Sequence, residues 1–274
     1  MKYIFLLFSC AFVTPGFAQN LPDASRTVDD LFHPTSKKRM REFSMDRPDV
    51  TESAYTVDAG HFQFEADVFK MERTTVGELK TIKNSFNVVN LKLGITPSLD
   101  LQVVAATLFT SKIKDGTLTD RQSGFGGLTF RAKQNIWGNN SGKTALAILP
   151  FVNVPTVSSE KFSGGITIPF ALSLPGDWGF GAQVETDLTS NAADKGHHIN
   201  LLFSATASHP LSKKFDFFAE GVVTREGEIK EYEYFADGGL IYTVADNINI
   251  DIGIYYGLKN TSAKSYFLGF SFRL

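Results

Sequence analysis

The final segment of the chain, residues 264–274, alternates between apolar and polar side chains. The apolar face is formed by Tyr266, Leu268, Phe270, Phe272 and Leu274. The polar face, broken by Phe267, is formed by Ser265, Gly269, Ser271 and Arg273. Neighbouring side chains of a β-strand point to opposite faces, so this pattern predicts a strand with one apolar and one polar face. An amphipathic strand with an apolar last residue suggests a sheet that closes on itself in a membrane.

The same alternation recurs from Gly60 onward. It is clear in segments 62–68, 99–105, 128–133, 178–185, 199–206, 215–220, 248–254 and 264–274. It is weaker in segments 80–93, 143–155, 163–174 and 233–242. Together these segments predict an all-β fold, a closed antiparallel transmembrane β-barrel of about 12 strands with up-and-down topology, over residues 60–274.

The connections between the segments also alternate in length. Tight turns rich in Gly, Pro, Asn and Asp lie near 94–98, 138–142, 175–177, 210–213 and 244–247. Longer, more polar connections lie near 74–79, 111–123, 156–163, 189–196, 225–231 and 258–263. This pattern is typical of barrels in the outer membrane of Gram-negative bacteria, with both chain termini in the periplasm. The alternative, a secreted soluble all-β protein, does not require such regularity.

A barrel in lipid fixes the facing of its residues, because unpaired backbone groups in hydrocarbon cost several kcal/mol and the outer face must be apolar. We expect an outward face that includes Phe62, Leu101, Phe130, Ile252 and Phe270. We expect an inward, candidate pore-lining set of Glu65, Asp67, Asp100, Arg131, Lys133, Glu185, Asp187, Asp216, Glu220, Asp237, Asp251 and Arg273. These charges fit either a packed polar lumen or a permeation path that favours cations or polar solutes. Because lumen-facing positions can stay polar, an Asp251→Arg barrel should fold and alter permeation.

The N-terminus has the pattern of a secretory signal peptide over residues 1–18. Lys2 precedes a short apolar stretch, and Ala18 ends a small-residue cleavage site. The single cysteine, Cys10, lies in this stretch. The mature chain is therefore expected to hold no disulfide and no thiolate site.

Residues 19–59 show no sustained strand or helix period and predict an irregular periplasmic segment. Basic residues on this segment could enter an acidic lumen and act as a plug or gate. The candidate plug residues are Lys37, Lys38, Arg39, Arg41 and Arg47. A solvated tail is the alternative.

Residues 46–65 (DRPDVTESAYTVDAGHFQFE) resemble the opening motif of the transporter-like outer-membrane family described as "putative MetA-pathway of phenol degradation". Residues 126–133, 149–156 and 267–273 look like its later blocks. The resemblance implies a barrel that passes small molecules, hydrophobic ones among them, across the outer membrane. It implies no catalytic residues and does not identify phenol as the substrate.

Other classes of function find little support. Ser208 and His209 are adjacent, so their side chains point to opposite faces and do not form a catalytic pair. His197 and His198 lack a spaced third ligand, so we expect solvated loop residues, no metal and no cofactor. The net charge of −2 gives no electrostatic case for nucleic acid.

The predicted function is therefore a passive or gated channel for small molecules, not an enzyme. The alternative is a structural or surface-interaction barrel with a closed lumen. The expected partners are outer-membrane lipid, a small permeant of unknown identity, and the barrel-assembly machinery, which would bind the C-terminal strand.

Overall fold

The computed structural model describes residues 28–115, 118–124, 126–156, 161–191 and 196–274. The predicted signal peptide, residues 1–18, and residues 19–27 lie outside the described residues. Before the barrel, the described chain has a short 3-10 turn at Lys37–Arg39. Within the described ranges no helix has the length and apolar character needed to span a bilayer.

Strands make up most of the chain after residue 60. Their bounds are β1 (Phe62–Val76), β2 (Leu79–Thr96), β3 (Leu99–Asp115), β4 (Leu118–Gly124), β5 (Leu128–Trp137), β6 (Thr144–Val154), β7 (Ser163–Ser173), β8 (Gly179–Ser190), β9 (His197–Ser212), β10 (Phe215–Arg225), β11 (Tyr232–Ala245), β12 (Ile248–Gly257) and β13 (Lys264–Arg273).

The sheet is closed by pairing of its first and last strands. β1 pairs antiparallel with β13, from Gln63 opposite Arg273 to Arg73 opposite Lys264. The remaining neighbours in the ring follow chain order and are also antiparallel. β4 and β5 both pair with β3, β4 along its outer end and β5 along its inner end, so they occupy one position in the ring. The predicted closed, antiparallel, up-and-down barrel of 12 strands is confirmed.

The prediction of longer connections is wrong for two segments, which the structure forms mostly as strand. Residues 74–79 and 111–123 are mostly strand: β1 pairs with β2 out to Val76 opposite Leu79, and β3 pairs with β4 out to Asp115 opposite Leu118. A transmembrane strand needs about 10 residues, so β2, with 18, extends well beyond a bilayer. Outside the lipid both faces of a hairpin can be polar, so the amphipathic pattern that predicts strands is absent there.

The distribution of side chains is inverted relative to a soluble protein. Leu101, Phe130 and Ile252 are 48, 49 and 58% exposed on the outer wall. Phe62 and Phe270 are partly exposed. The largest fully buried side chains include Lys133, Gln63, Gln102, Glu65, Asp100 and Asp251. An apolar exterior around a polar interior is what a barrel in lipid requires.

Aromatic side chains gather on the outer wall at two heights. At the end with short turns, Phe64 stacks on Phe272 with 5.2 Å between ring centroids, and Trp178 packs edge-on against Phe217. Toward the other end the wall carries exposed tyrosines, at positions Tyr232, Tyr234, Tyr256 and Tyr266. Along β13 the seven residues from Tyr266 to Phe272 span about 20 Å, close to the ~25 Å apolar band between the aromatic girdles of outer-membrane barrels.

Arginine at position 252 tests this orientation. Ile252 lies between the outward residues Ile250 and Ile254, well inside β12. Ile252→Arg should lower the free energy of unfolding by about 2–4 kcal/mol, because it places a charge in the apolar part of the bilayer. The measurement is urea unfolding of the protein refolded into lipid vesicles. The matched control, Ile252→Leu, should unfold like the parent, and equal stability of all three proteins would contradict the assignment.

Candidate functional site

Residues 44–58, here called the strap, cross the inside of the barrel. The chain before them lies at the short-turn end, where Thr35 N donates to Ala59 O over 3.0 Å and Arg41 Nη1 donates to Pro97 O over 3.0 Å. The strap has no strand partner, so its backbone N–H groups must find acceptors elsewhere. Wall and turn side chains accept from the N–H groups of Asp46, Val50, Thr51, Glu52, Thr56 and Val57.

One anchor of the strap is the carboxylate of Asp46. Lys92 Nζ lies 2.5 Å from it, and Lys133 donates to its other oxygen. Lys92 also pairs with Glu65, which in turn accepts the Asp46 backbone N–H at 3.1 Å. Burial alone would raise the pKa of Asp46, but Lys133 and Lys92 outweigh burial and hold the pKa well below its usual range. Asp46 therefore stays ionised and joins β2 and β5 to the strap.

A second anchor is the guanidinium of Arg47. Its Nη2 donates to Asp251 over 2.8 Å and its Nη1 donates to Asp67 over 2.7 Å. Gly269 lies between these two acceptors, because its Cα is the strand partner of both. A Cβ added at Gly269 would overlap Arg47 Nη2 and Asp251 Oδ1. The missing side chain makes the space for the guanidinium, whose Cζ also lies 5.9 Å from the Phe267 ring centroid.

A third contact joins the strap to the opposite wall. Val50 N and Thr51 N donate to the two carboxylate oxygens of Glu220 over 2.7 and 2.8 Å. Burial, reinforced by the neighbouring Glu220 charge, raises the pKa of Asp49 to about 8. Burial, with the Asp46 charge acting in the same direction, raises the pKa of Glu52 to about 7, although Arg131 pairs with it. Near neutral pH this corner of the lumen therefore holds titratable carboxyl groups.

Two cavities lie inside the barrel. The first, about 360 Å³, adjoins the strap and is lined by six acidic residues, Asp46, Asp49, Glu52, Glu65, Asp67 and Asp237, three basic ones, Arg47, Lys70 and Arg131, and by Pro48, Val50, Val88, Val89, Asn90, Val104, Tyr255 and Phe267. The second, about 670 Å³, lies toward the long-loop end, where Pro155, Lys161 and Asn191 line it. Val88 and Val104 line both cavities. The two cavities therefore adjoin and lead from the long-loop end to the strap.

The structure divides the candidate pore-lining residues into two groups. Those that contact the strap are Glu65, Asp67, Asp100, Arg131, Lys133, Glu220, Asp251 and Arg273. Of the others, Glu185 accepts from Thr167 Oγ1 over 2.7 Å, and Asp187 lies two residues further along β8. Asp237 lines the first cavity, and Asp216 lies on the same face of β10 as Glu220.

The candidate plug residues also separate. Lys37, Lys38 and Arg39 are exposed at the short-turn end, where Arg39 pairs with Asp29 at 2.8 Å. Arg41 lies 2.8 Å from Asp58, which also pairs with Arg273. Of the five, Arg47 is the residue that lies within the strap. The basic residues thus do not act as one cluster, and a gating role stays a prediction.

The structure argues against the expected tolerance of Asp251→Arg. Asp251 is fully buried and accepts two hydrogen bonds from Arg47. An arginine there would place two guanidinium groups together and leave Asp67 as their remaining partner. Sequence reasoning also missed Gln63, Gln183 and Asn139 as strap ligands, because uncharged polar side chains at inward positions do not stand out in an alternating pattern.

Gly269→Ala should destabilise the docked strap. The added methyl group meets the guanidinium of Arg47, and overpacking of this kind costs about 1–3 kcal/mol. We expect a lower free energy of unfolding and faster proteolysis within residues 44–58. The matched control is Gly221→Ala, where a Cβ meets nothing within 4 Å. Identical proteolysis of both variants would contradict the close approach of Arg47 to Gly269.

The stability of the folded protein should fall between pH 4 and pH 8. An unfolded aspartate loses its proton near 3.8, whereas folded Asp49 holds it until about 8. The stabilisation is therefore fully present below the lower value and lost as the pH rises through the upper one. The thermal unfolding temperature should be higher at pH 6 than at pH 9, and Asp49→Asn should reduce that difference. The control Asp177→Asn, in an exposed turn, should keep it; a full difference in Asp49→Asn would contradict the role of Asp49.

Comparison with known proteins places the chain among outer-membrane barrels. An outer membrane channel from Pseudomonas putida F1 superposes with a TM-score of 0.59 at 10% identity, over 84% of this chain and 100% of that chain. The NanC porin superposes with a TM-score of 0.52 at 12% identity, over 77% of this chain and 100% of the porin. At such identities the likeness is one of fold. No curated protein shows significant sequence similarity to the chain. Residues 45–274, which include the whole barrel and all of the strap except its first residue, match the family described as "Putative MetA-pathway of phenol degradation", and the chain belongs to that family.

Proposed function

We propose that this outer-membrane barrel is a passive channel for small molecules and that the strap restricts its lumen. The observation that carries the proposal is the pair of adjoining cavities, which lead from the long-loop end of the barrel to the strap. A solute that enters at the long loops would meet the first physical obstacle at residues 46–52. The family description, which refers to phenol degradation, and the fold shared with an outer membrane channel support transport as the role.

The residues that line the inner cavity limit the class of solute that could pass through it. At about 360 Å³ the inner cavity is within the ~300–1,000 Å³ range of small-molecule sites. Val88, Val104 and Phe267 give it apolar surface, so solutes with an apolar or aromatic part would fit. Six acidic and three basic residues line it, but with a pKa of about 8 Asp49 holds its proton at neutral pH and Glu52, with a pKa of about 7, is partly protonated, so the bias against anions should grow as the pH rises through 7 to 8.

The proposal includes an orientation in the membrane. The short turns would face the periplasm, together with residues 28–43, the start of β1 and the end of β13. The long loops would face the outside. The C-terminal strand would be the segment that the barrel-assembly machinery binds. No catalytic role is proposed: the predicted exclusion of Ser208 and His209 is consistent with the packing of His209 against the Trp178 ring at 4.8 Å.

The dense anchoring of the strap favours a second candidate function. Because strap contacts reach the walls at Lys92, Lys133, Glu220 and Asp251, the lumen could be permanently closed. The barrel would then be a structural or surface-interaction protein whose long loops bind its partner. Conductance distinguishes the two candidates.

The decisive experiment compares three refolded chains in planar bilayers: residues 19–274, a deletion of 19–43 that keeps the strap, and a deletion of 19–58 that removes it. If the strap restricts the lumen, single-channel conductance should be similar for the first two chains and clearly larger for the third. In a KCl gradient the reversal potential should shift toward preference for the cation between pH 6 and pH 9, as Asp49 and Glu52 become ionised.

Other outcomes overturn parts of the proposal. Equal conductance of all three chains would show that the strap is not the restriction. Silence of all three, with folding established by heat-modifiable migration on gels, would favour the closed structural barrel. As a point-variant check, Arg47→Gln leaves the chain length unchanged and should increase conductance fluctuations by loosening one anchor.

A further inference from the structure

A histidine and two glutamates meet at the long-loop end, outside the lumen site. His198 lies at the start of β9, and Glu226 and Glu228 lie in the connection between β10 and β11. His198 Nε2 is 3.3 Å from Glu226 Oε1, and one potential ligand atom from each residue lies within 4.8 Å of the other two. The residues are 28 and 30 positions apart in the sequence, so the cluster is visible only in the fold.

The hydrogen bonding of the His198 ring determines which nitrogen is available. Nδ1 lies 2.8 Å from Asn191 Oδ1, an amide oxygen that can only accept. Nδ1 therefore carries the hydrogen, and neutral His198 presents the lone pair of Nε2 to the Glu226 carboxylate. Two acceptors 3.3 Å apart require a cation between them or a proton on Nε2.

The spacing suits a metal ion. Zinc binds histidine nitrogen and carboxylate oxygen at about 2.0–2.2 Å, and a tetrahedral angle then puts the two ligand atoms about 3.3–3.5 Å apart. The observed separation of Nε2 and Oε1 is 3.3 Å. A metal-bound histidine commonly donates its other N–H to an oxygen, as His198 does to Asn191. Glu228 Oε2 lies 4.0 Å from His198 Nδ1, so its side chain would have to turn toward Nε2 to supply a third oxygen.

The surrounding backbone holds these ligands in place. Gly227, between the two glutamates, donates its N–H to Asn200 Oδ1 over 2.8 Å, and Glu226 N donates to Glu231 O over 2.9 Å. The His198 side chain is 10% exposed, whereas that of Glu226 is 46% exposed. The imidazole is thus fixed and the carboxylate side is open to solvent, so an ion has access to the site.

We propose that His198, Glu226 and Glu228 form a binding site for one divalent transition-metal ion of the zinc class. The ion would join the 225–231 connection to the start of strand β9. A nitrogen ligand with two carboxylates favours such an ion over Ca²⁺ or Mg²⁺, which prefer all-oxygen shells. Asn191, which orients His198, also lines the second cavity. The bound ion would therefore fix part of the wall of that cavity. This replaces the expectation that His198 is a solvated loop residue.

The test is isothermal titration of ZnCl₂ into the untagged, chelator-treated full chain in detergent. We expect one equivalent to bind to the parent. His198→Ala and the near-isosteric Glu226→Gln should each weaken binding at least tenfold. The matched control is His197→Ala, which removes the exposed neighbouring histidine and should bind like the parent. Zinc should also raise the thermal unfolding temperature of the parent and of His197→Ala, because a ligand of the folded state stabilises it.

Three results would overturn the proposal. The first is zinc binding by Glu226→Gln with parental affinity, which would leave His198 in a simple ion pair with the carboxylate. The second is loss of binding in His197→Ala. The third is binding of CaCl₂ or MgCl₂ as tight as that of ZnCl₂. Heat-modifiable migration on gels shows that each variant is folded before its titration is interpreted.

Discussion

The pairing of backbone N–H and C=O groups in a medium without water determines the rest of this molecule. In hydrocarbon each unpaired group costs several kcal/mol, so the sheet has to close, and β1 meets β13. Closure then divides every strand into a lipid face and a lumen face. The lipid face takes Leu101, Phe130 and Ile252, and polar and charged groups are collected on the inside. The interior charge that any solute or strap must meet is therefore a consequence of the membrane.

Charges collected in this way need partners, and the strap supplies many of them. Removing one member of a buried ion pair typically costs about 3–5 kcal/mol, because the other charge is left without compensation. Asp46 between Lys92 and Lys133, and Arg47 between Asp67 and Asp251, are arrangements of this kind. The strap and the wall are thus complementary in charge. The family match begins at residue 45, so it takes in most of this complementary segment as well as the barrel.

Much of the fold could be predicted from the sequence because lipid imposes a period of two on any strand that crosses it. The twelve strands and their facing follow from that period, with Ile252 outward and Asp251 inward. The extramembrane parts of β2 and β3 could not be predicted, since nothing there selects an apolar face. The bulge between Asp67 and Phe69, which turns Lys70 toward the inner cavity, leaves no mark in the alternation. The contacts of the strap join residues up to 215 positions apart, beyond the reach of a local pattern.

The unequal lengths of the strands have a consequence for how the barrel meets its surroundings. β2 has 18 residues and β12 has 10, a difference of eight residues, or about 26 Å along the strands. At the long-loop end, pairing continues out to Val76 opposite Leu79 and to Asp115 opposite Leu118, so β1 to β4 form a ridge of paired strands there. Its tip carries Val76 and Leu79, both exposed apolar residues. In the proposed orientation, with the long loops outside, a molecule that approaches the cell would touch this ridge before it reached the opening.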